Sequence, residues 1–214
     1  MEQILIRFIL LLSFLLSSPA SGFAESRFTV EGDTLIFNIK HPEAGYEHTG
    51  YLEPNDSDLF ASYIFENPQV KTLRVTGPGG YVPAARSIAE VLMKYEIDTV
   101  AYGQCMSACT LIFLGGKSRT MEPGAKLGFH KQLVAREDHK PYFEYYREEK
   151  GWADEYDYFE YSYSGLVDKL IEDIRYITSR GVALDFILKA FSTDSGKMWT
   201  PTREELLSAG VVTR

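Results

Sequence analysis

Cysteine is nearly absent. The 214 residues hold 2, and both flank one serine, in Cys105-Met106-Ser107-Ala108-Cys109. With two thiols and no histidine beside them, a zinc site is not expected. Basic charge is also scarce: 22 Lys and Arg against 30 Asp and Glu, a formal net charge of −8. Such a chain lacks the electrostatic footprint of a nucleic-acid binder. No basic cluster marks it for anionic lipid. Long apolar runs are missing too. The block Phe8–Leu16 is too short for a comfortable membrane span. The glycine-rich turn Gly77-Pro78-Gly79-Gly80 has neither the G-x-G-x-x-G spacing of dinucleotide sites nor the Lys-Ser/Thr of a P-loop. No cofactor and no metal are therefore expected.

What is present begins with a leader. Arg7 precedes the apolar block, and small residues come after it, with Gly22 and Ala24 at −3 and −1 of a cleavage point. This is a secretory signal peptide over residues 1–24, and it implies a periplasmic or secreted protein. An uncleaved N-terminal anchor is the alternative and would be the only contact with a membrane. Residues 25–214 have the length of one domain. Aromatics make up 14% of the chain, which separates it from disordered acidic tails.

Phe28 to Lys40 alternates around Glu31-Gly32-Asp33 and predicts a hairpin. Gly50-Tyr51-Leu52 predicts a short strand. Ser57 to Glu66 predicts a helix with Leu59, Phe60, Tyr63 and Ile64 on one face, stopped by Asn67-Pro68. Val70–Thr76 predicts a strand running into Gly77–Gly80. Pro83–Tyr95 is amphipathic, with Ile88, Val91, Leu92 and Tyr95 on one face. Asp98–Tyr102 is the next strand, and Ala108–Leu114 a compact helix ended by Gly115-Gly116. Strand–helix alternation with short connections means a parallel sheet flanked by helices, with ligands at the carboxyl ends of its strands. Lys126–His130 predicts another strand. Helices are expected from about Asp154 to Arg180, over Leu184–Phe191, and after a Thr202/Glu205 capping box, with Val211-Val212 as a closing strand.

Ser107 stands where a strand turns into a helix. A serine there is an N-cap or, with a base in reach, a nucleophile. Cys105 and Cys109 replace the glycines of a G-x-S-x-G elbow, which argues against an α/β-hydrolase. In an oxidising compartment the two cysteines can pair; the alternative is two small buried residues packing a tight turn. His130 ends a strand 23 positions later and is the candidate base. His41, His48 and His139 are expected in polar loops and rank below it.

Taken together, Gly77-Pro78-Gly79-Gly80, Gly103-Gln104-x-x-Ser107, Gly116-x-x-Arg119 and Phe129-His130 resemble the ClpP-like serine peptidases of the ClpP/crotonase superfamily. The Cys-x-Ser-Ala-Cys turn is similar to that of their secreted bacterial branch. The resemblance covers Val70–Lys131 and, more loosely, Trp199–Val212. It implies an α/β domain of repeated β-β-α units with a mainly parallel sheet flanked by helices. It also implies a serine peptidase or related acyl hydrolase acting on a peptide or protein. Ser107 would be the nucleophile, His130 the base, and the Gly80 and Ala108 N–H groups the oxyanion hole. The family's third triad member falls at Gly196-Lys197 here, and Asp194 is the nearest carboxylate. If Asp194 does not serve, the chain is a catalytically weak relative acting as a binding or assembly module. A Ser-Lys arrangement through Lys197 is the remaining alternative. Pro141–Tyr163, dense in Tyr and acidic residues, sits where the family places a handle or lid. It is expected to make a subunit contact in a homo-oligomer or pack into the core, with substrate recognition as the alternative. An exported chain has no ATP, so no ATPase partner is expected, and it has no cytosolic CoA, which argues against a crotonase-type enzyme.

Overall fold

In the computed structural model, residues 26–43, 49–131, 136–194 and 196–214 are described. Residues 1–24, the expected signal peptide, and His48 lie outside them. The chain opens with strands β1 (Phe28–Glu31) and β2 (Thr34–Asn38), the expected antiparallel hairpin. Helix α1 (Asp56–Glu66) buries Phe60 and Ile64 and leads to β3 (Thr72–Gly77). Then come α2 (Val82–Lys94), β4 (Asp98–Met106) and α3 (Ala108–Leu114). Strands β5 (Arg119–Met121) and β6 (Lys126–Gly128) complete a six-stranded sheet.

The sheet runs β1-β2-β3-β4-β5, with β6 also on β4. Every pairing after the hairpin is parallel. The nine-residue β4 serves two partners along one edge. Its first half pairs with β5 through Thr99–Ala101, and its second half with β6 through Gln104–Met106. The chain between β4 and β5 is α3, whose seven residues are all buried. A helix apolar on every side must sit in the core. α3 is wrapped by the sheet below and α2 beside it, and Ile112 and Phe113 are wholly inaccessible.

Three further helices cover this core: α5 (Glu155–Ser179), α6 (Leu184–Ser192) and α7 (Arg203–Ser208), with α4 (Arg136–Lys150) preceding them. Asp154 caps α5 by accepting from the Tyr156 and Asp157 N–H groups, and Thr202 and Glu205 form the expected capping box on α7. Arginines tie these helices down. Arg180 donates to the carbonyls of Leu114 and Gly116, and Arg86 on α2 holds Asp173 on α5 at 2.6 Å. Tyr176 donates its hydroxyl to Leu111 O in the same region.

Three expectations need correction. Val211-Val212 is not a strand. Buried Arg119 donates to the carbonyls of Gly210 and Val211, so a side chain rather than a ladder holds the segment. Gly50–Leu52 contributes one bridge, Leu52 to Gly80, because the sheet passes it only there. Pro141 lies inside α4, which places His139 on a helix rather than in a loop. Trp152 and Tyr158 pack on the α4 rings Tyr142 and Phe143, an aromatic contact that holds α4 against α5.

Candidate active site

The site begins with a fault in the sheet. Between β3 and β4 the register moves from Val75 opposite Ala101 to Gly77 opposite Cys105, so β4 carries two extra residues. Such a bulge bends a strand and re-aims the side chains beyond it. Thr76 holds it: its Oγ1 donates to Gln104 O at 3.0 Å and accepts from Gln104 N at 3.2 Å. Immediately beyond stands Ser107, with φ 54° and ψ −127°. A non-glycine residue in this region costs of order 1–3 kcal/mol and persists only where its surroundings force it. Here they do. Ser107 N donates to Gly128 O at 2.8 Å, Thr110 N returns to Ser107 O at 2.9 Å, and Cys105 and Cys109 are joined by a disulfide. Of the two readings left open for the cysteines, the structure takes the bridge, and both are also fully buried.

The Ser107 side chain does not cap α3. Its Oγ lies 2.7 Å from His130 Nε2 instead. The geometry requires Nε2 to accept the hydroxyl proton or to donate to the oxygen, according to the tautomer. His130 comes just after β6 and is fixed by its neighbours: Phe129 and Trp199 exchange backbone hydrogen bonds, and Lys131 N donates to Thr193 O. Burial pushes the imidazole below its usual value, opposed by the nearby Lys131 backbone. That backbone lies outside hydrogen-bond geometry, for the other ring nitrogen, Nδ1, is buried and has no partner among the described residues.

Asp194 is not the group that meets it. Its carboxylate lies 3.3 Å from Lys131 Nζ and 3.9 Å from Lys197 Nζ, out in solvent. Lys197 is drawn to Asp194 rather than to Ser107, which leaves a Ser-Lys arrangement without support.

The Gly77–Gly80 turn lies against the serine elbow. Leu52 takes the Gly79 carbonyl with its N–H and gives its own carbonyl to the Tyr81 N–H. In a parallel bridge of this kind the N–H of the intervening residue, Gly80, faces the opposite way. Gly79 has φ +91°, and a Cβ there would lie 2.7 Å from Ala108 N and 2.9 Å from Ser107 Cβ. On Gly80, at φ +139°, a Cβ would meet the Leu52 backbone at 2.5 Å. Only glycine allows this approach. Ala108 is the first residue of α3, so its N–H has no partner within the helix.

Ser107, Ala108, Gly80 and His130 all line one cleft of about 710 Å³. Its buried apolar lining includes Leu111 of α3, Ile177 of α5 and Phe186 and Ile187 of α6. Sequence reasoning missed several contributors. Lys40 and Lys126 line the cleft and are exposed, and Thr76 shapes the bulge. Buried Arg27 bonds buried Asp56 and the carbonyls of Ile39 and Tyr51, which fixes the segments on either side of Lys40 and Tyr51. Their signal was weak, since a threonine in a strand and lysines at strand ends are ordinary there.

No protein-family profile matches the chain, and no curated protein matches it. Among solved structures it is similar to a point mutant of ClpP1 from Listeria monocytogenes. The two share 16% identity with a TM-score of 0.56, over 76% of this chain and 84% of that one. At this identity the likeness establishes the fold: the chain has a ClpP-like α/β fold, with a mostly parallel sheet flanked by helices.

Proposed function

We propose that this chain is an exported serine-type acyl hydrolase, in the first place a peptidase, working without ATP. One observation carries the reading. A serine held at a strained strand–helix junction leaves its cap unmade and turns its Oγ to a histidine 2.7 Å away. Strain kept at such a cost is characteristic of functional residues.

In the first half of the reaction, His130 Nε2 takes the Ser107 proton as Oγ attacks a peptide carbonyl. The carbonyl π pair moves onto oxygen, and the Gly80 and Ala108 N–H groups receive that oxyanion. Collapse expels the amine, which takes the proton from His130, and leaves an ester on Ser107. Water repeats the cycle and releases the acid. The lowered imidazole value supports the role of base, because it keeps the ring neutral to lower pH.

Export rests on the leader sequence and is supported by the bridged cysteines, since disulfides persist in oxidising compartments. The single domain over residues 25–214 belongs to the same reading, as does kinship to the secreted ClpP-like branch. Self-association is supported by α5. Tyr156, Phe159, Tyr163, Leu166 and Leu170 repeat at alternating spacings of three and four, and all are exposed. Exposed apolar stripes of this kind mark subunit contacts.

A second reading has its own observation. Nδ1 of His130 has no partner among the described residues, so the base is not oriented as in a complete triad. A slow or inactive relative, used as a binding module, fits that. A fluorophosphonate probe separates the two. Labelling of the folded protein that is lost in Ser107→Ala supports the hydrolase. No labelling of folded wild type sinks it.

A further inference from the structure

We infer that the cleft takes an acidic peptide segment, with a large apolar residue on the floor and a carboxylate on each side, met by Lys40 and Lys126. The inference rests on the cleft being a peptide site, as proposed above.

Most lysines of this chain are already occupied. Lys117, Lys131, Lys140, Lys150, Lys189 and Lys197 each lie within ion-pair distance of a carboxylate. Lys94 lies over the Tyr95 ring. Lys40 and Lys126 line the cleft, are exposed, and have no partner among the described residues. Among the described residues the one carboxylate lining the cleft, Asp173, is buried and held by Arg86. The uncompensated charge in the cleft is therefore positive, on a chain whose net charge is −8. Two ammonium groups with no partner among the described residues, in the same cleft as the proposed nucleophile and on an acidic chain, select for anionic groups.

Their placement decides the class of ligand. Along the sheet the order is β2, β3, β4, β6, and Ser107 immediately follows β4. Lys40 lies just past β2 and Lys126 opens β6 opposite Gln104, so the lysines flank Ser107. Three strand spacings put their backbones about 14 Å apart, the reach of about four extended residues. A peptide with acidic residues on both sides of an apolar one spans that interval. A lipid with one headgroup and one tail meets only one lysine.

The test uses the Ser107→Ala protein, so that binding is read whether or not the enzyme turns over. Fluorescein-labelled, C-terminally amidated peptides of the form Glu-Glu-Leu-Glu-Glu, Gln-Gln-Leu-Gln-Gln and Lys-Lys-Leu-Lys-Lys are titrated by anisotropy. The Glu peptide should bind roughly five- to tenfold tighter than the Gln peptide, with the Lys peptide weakest. The gap should shrink at high salt. The double variant Lys40→Glu/Lys126→Glu should invert the order, and Lys40→Gln/Lys126→Gln should flatten it. Both side chains are exposed, so neither change threatens the fold. Three outcomes overturn the inference: no binding of any peptide, equal binding of all three, or a Glu preference that survives the double reversal. A Gln peptide with a free carboxyl end that matches the Glu peptide overturns the two-sided arrangement. The hydrolase reading stands or falls separately, on fluorophosphonate labelling of the wild type.

Discussion

The two edges of the His130 ring meet very different regions. On the Nε2 side everything is fixed. A bulge pinned by Thr76, a disulfide, two backbone hydrogen bonds at Ser107 and a glycine turn with no room for a Cβ converge on one hydroxyl. Nδ1 is buried with no partner among the described residues, and the expected orienting carboxylate, Asp194, belongs to the chain between Thr193 and Trp199. That chain is attached to the His130 strand at its ends, while the carboxylate between them faces solvent and two lysines. On the proposed reading, positioning of the nucleophile is built into the core, whereas the base has no carboxylate among the described residues to orient it, because Asp194 faces solvent. Rate in a serine hydrolase depends on both, so the two sides should respond very differently to mutation.

The largest effect should come from the built side. His130→Gln removes the base and should lower the fluorophosphonate labelling rate of Ser107 about 10²- to 10⁴-fold, read as a second-order rate constant. An undiminished rate would mean that Ser107 is not activated by His130. Next is the clamp. Cys105→Ser/Cys109→Ser opens a small ring, for which chain entropy predicts a loss of about 2 kcal/mol, checked by urea denaturation. The labelling rate should fall in the folded double variant as well, because the elbow then relaxes from its positive φ. If labelling stays at the wild-type rate while stability drops, the bridge serves the fold alone.

The built side was also the legible one, because its signals are local. A hairpin around Glu31-Gly32-Asp33, a helix ended by Gly115 and a capping box from Thr202 to Glu205 are written within a few residues each. Ser107 and His130 emerged from spacing and pattern together. The features that escaped depend on distance. Strand β4 runs to Met106, beyond the expected Tyr102, because β6 arrives from 20 residues downstream to pair with it. Strand β5 has only Arg119–Met121 and owes its existence to β4, not to its own polar residues. The C-terminal Val211-Val212 has a strand's composition, yet the Arg119 guanidinium takes the backbone instead. Asp194 was the nearest carboxylate in sequence, but an ion pair with Lys131, 63 positions away, sets where it points.

pH gives a smaller effect. Burial depresses the His130 value below the usual 6.5, so the neutral base persists to lower pH and the acid limb of labelling should lie below that point. The sign for stability is the same. Above pH 6.5 the ring is neutral in both folded and unfolded chains, and its contribution is fully present. As pH falls through the depressed folded value, the unfolded state binds the proton more readily and the contribution is lost. A pH series of labelling alongside denaturation checks both, and an acid limb above 6.5 contradicts the burial argument.

The smallest effect should come from the loop. In a complete triad, replacing the orienting Asp by Asn costs about 10⁴ in rate. Here the Asp194 carboxylate is spent on Lys131 and Lys197 in solvent, where such pairs are weak. Asp194→Asn should therefore change the labelling rate less than about threefold, within what one surface charge contributes. A loss of several orders of magnitude would mean that Asp194 leaves Lys131 and reaches Nδ1 during reaction. Lys131→Met tells that case apart: freeing the carboxylate should then raise the rate, and should do so only while Asp194 is intact. If both variants label like wild type, the base works with its Nδ1 unoriented, and the asymmetry between the two edges of the ring sets the ceiling on its rate.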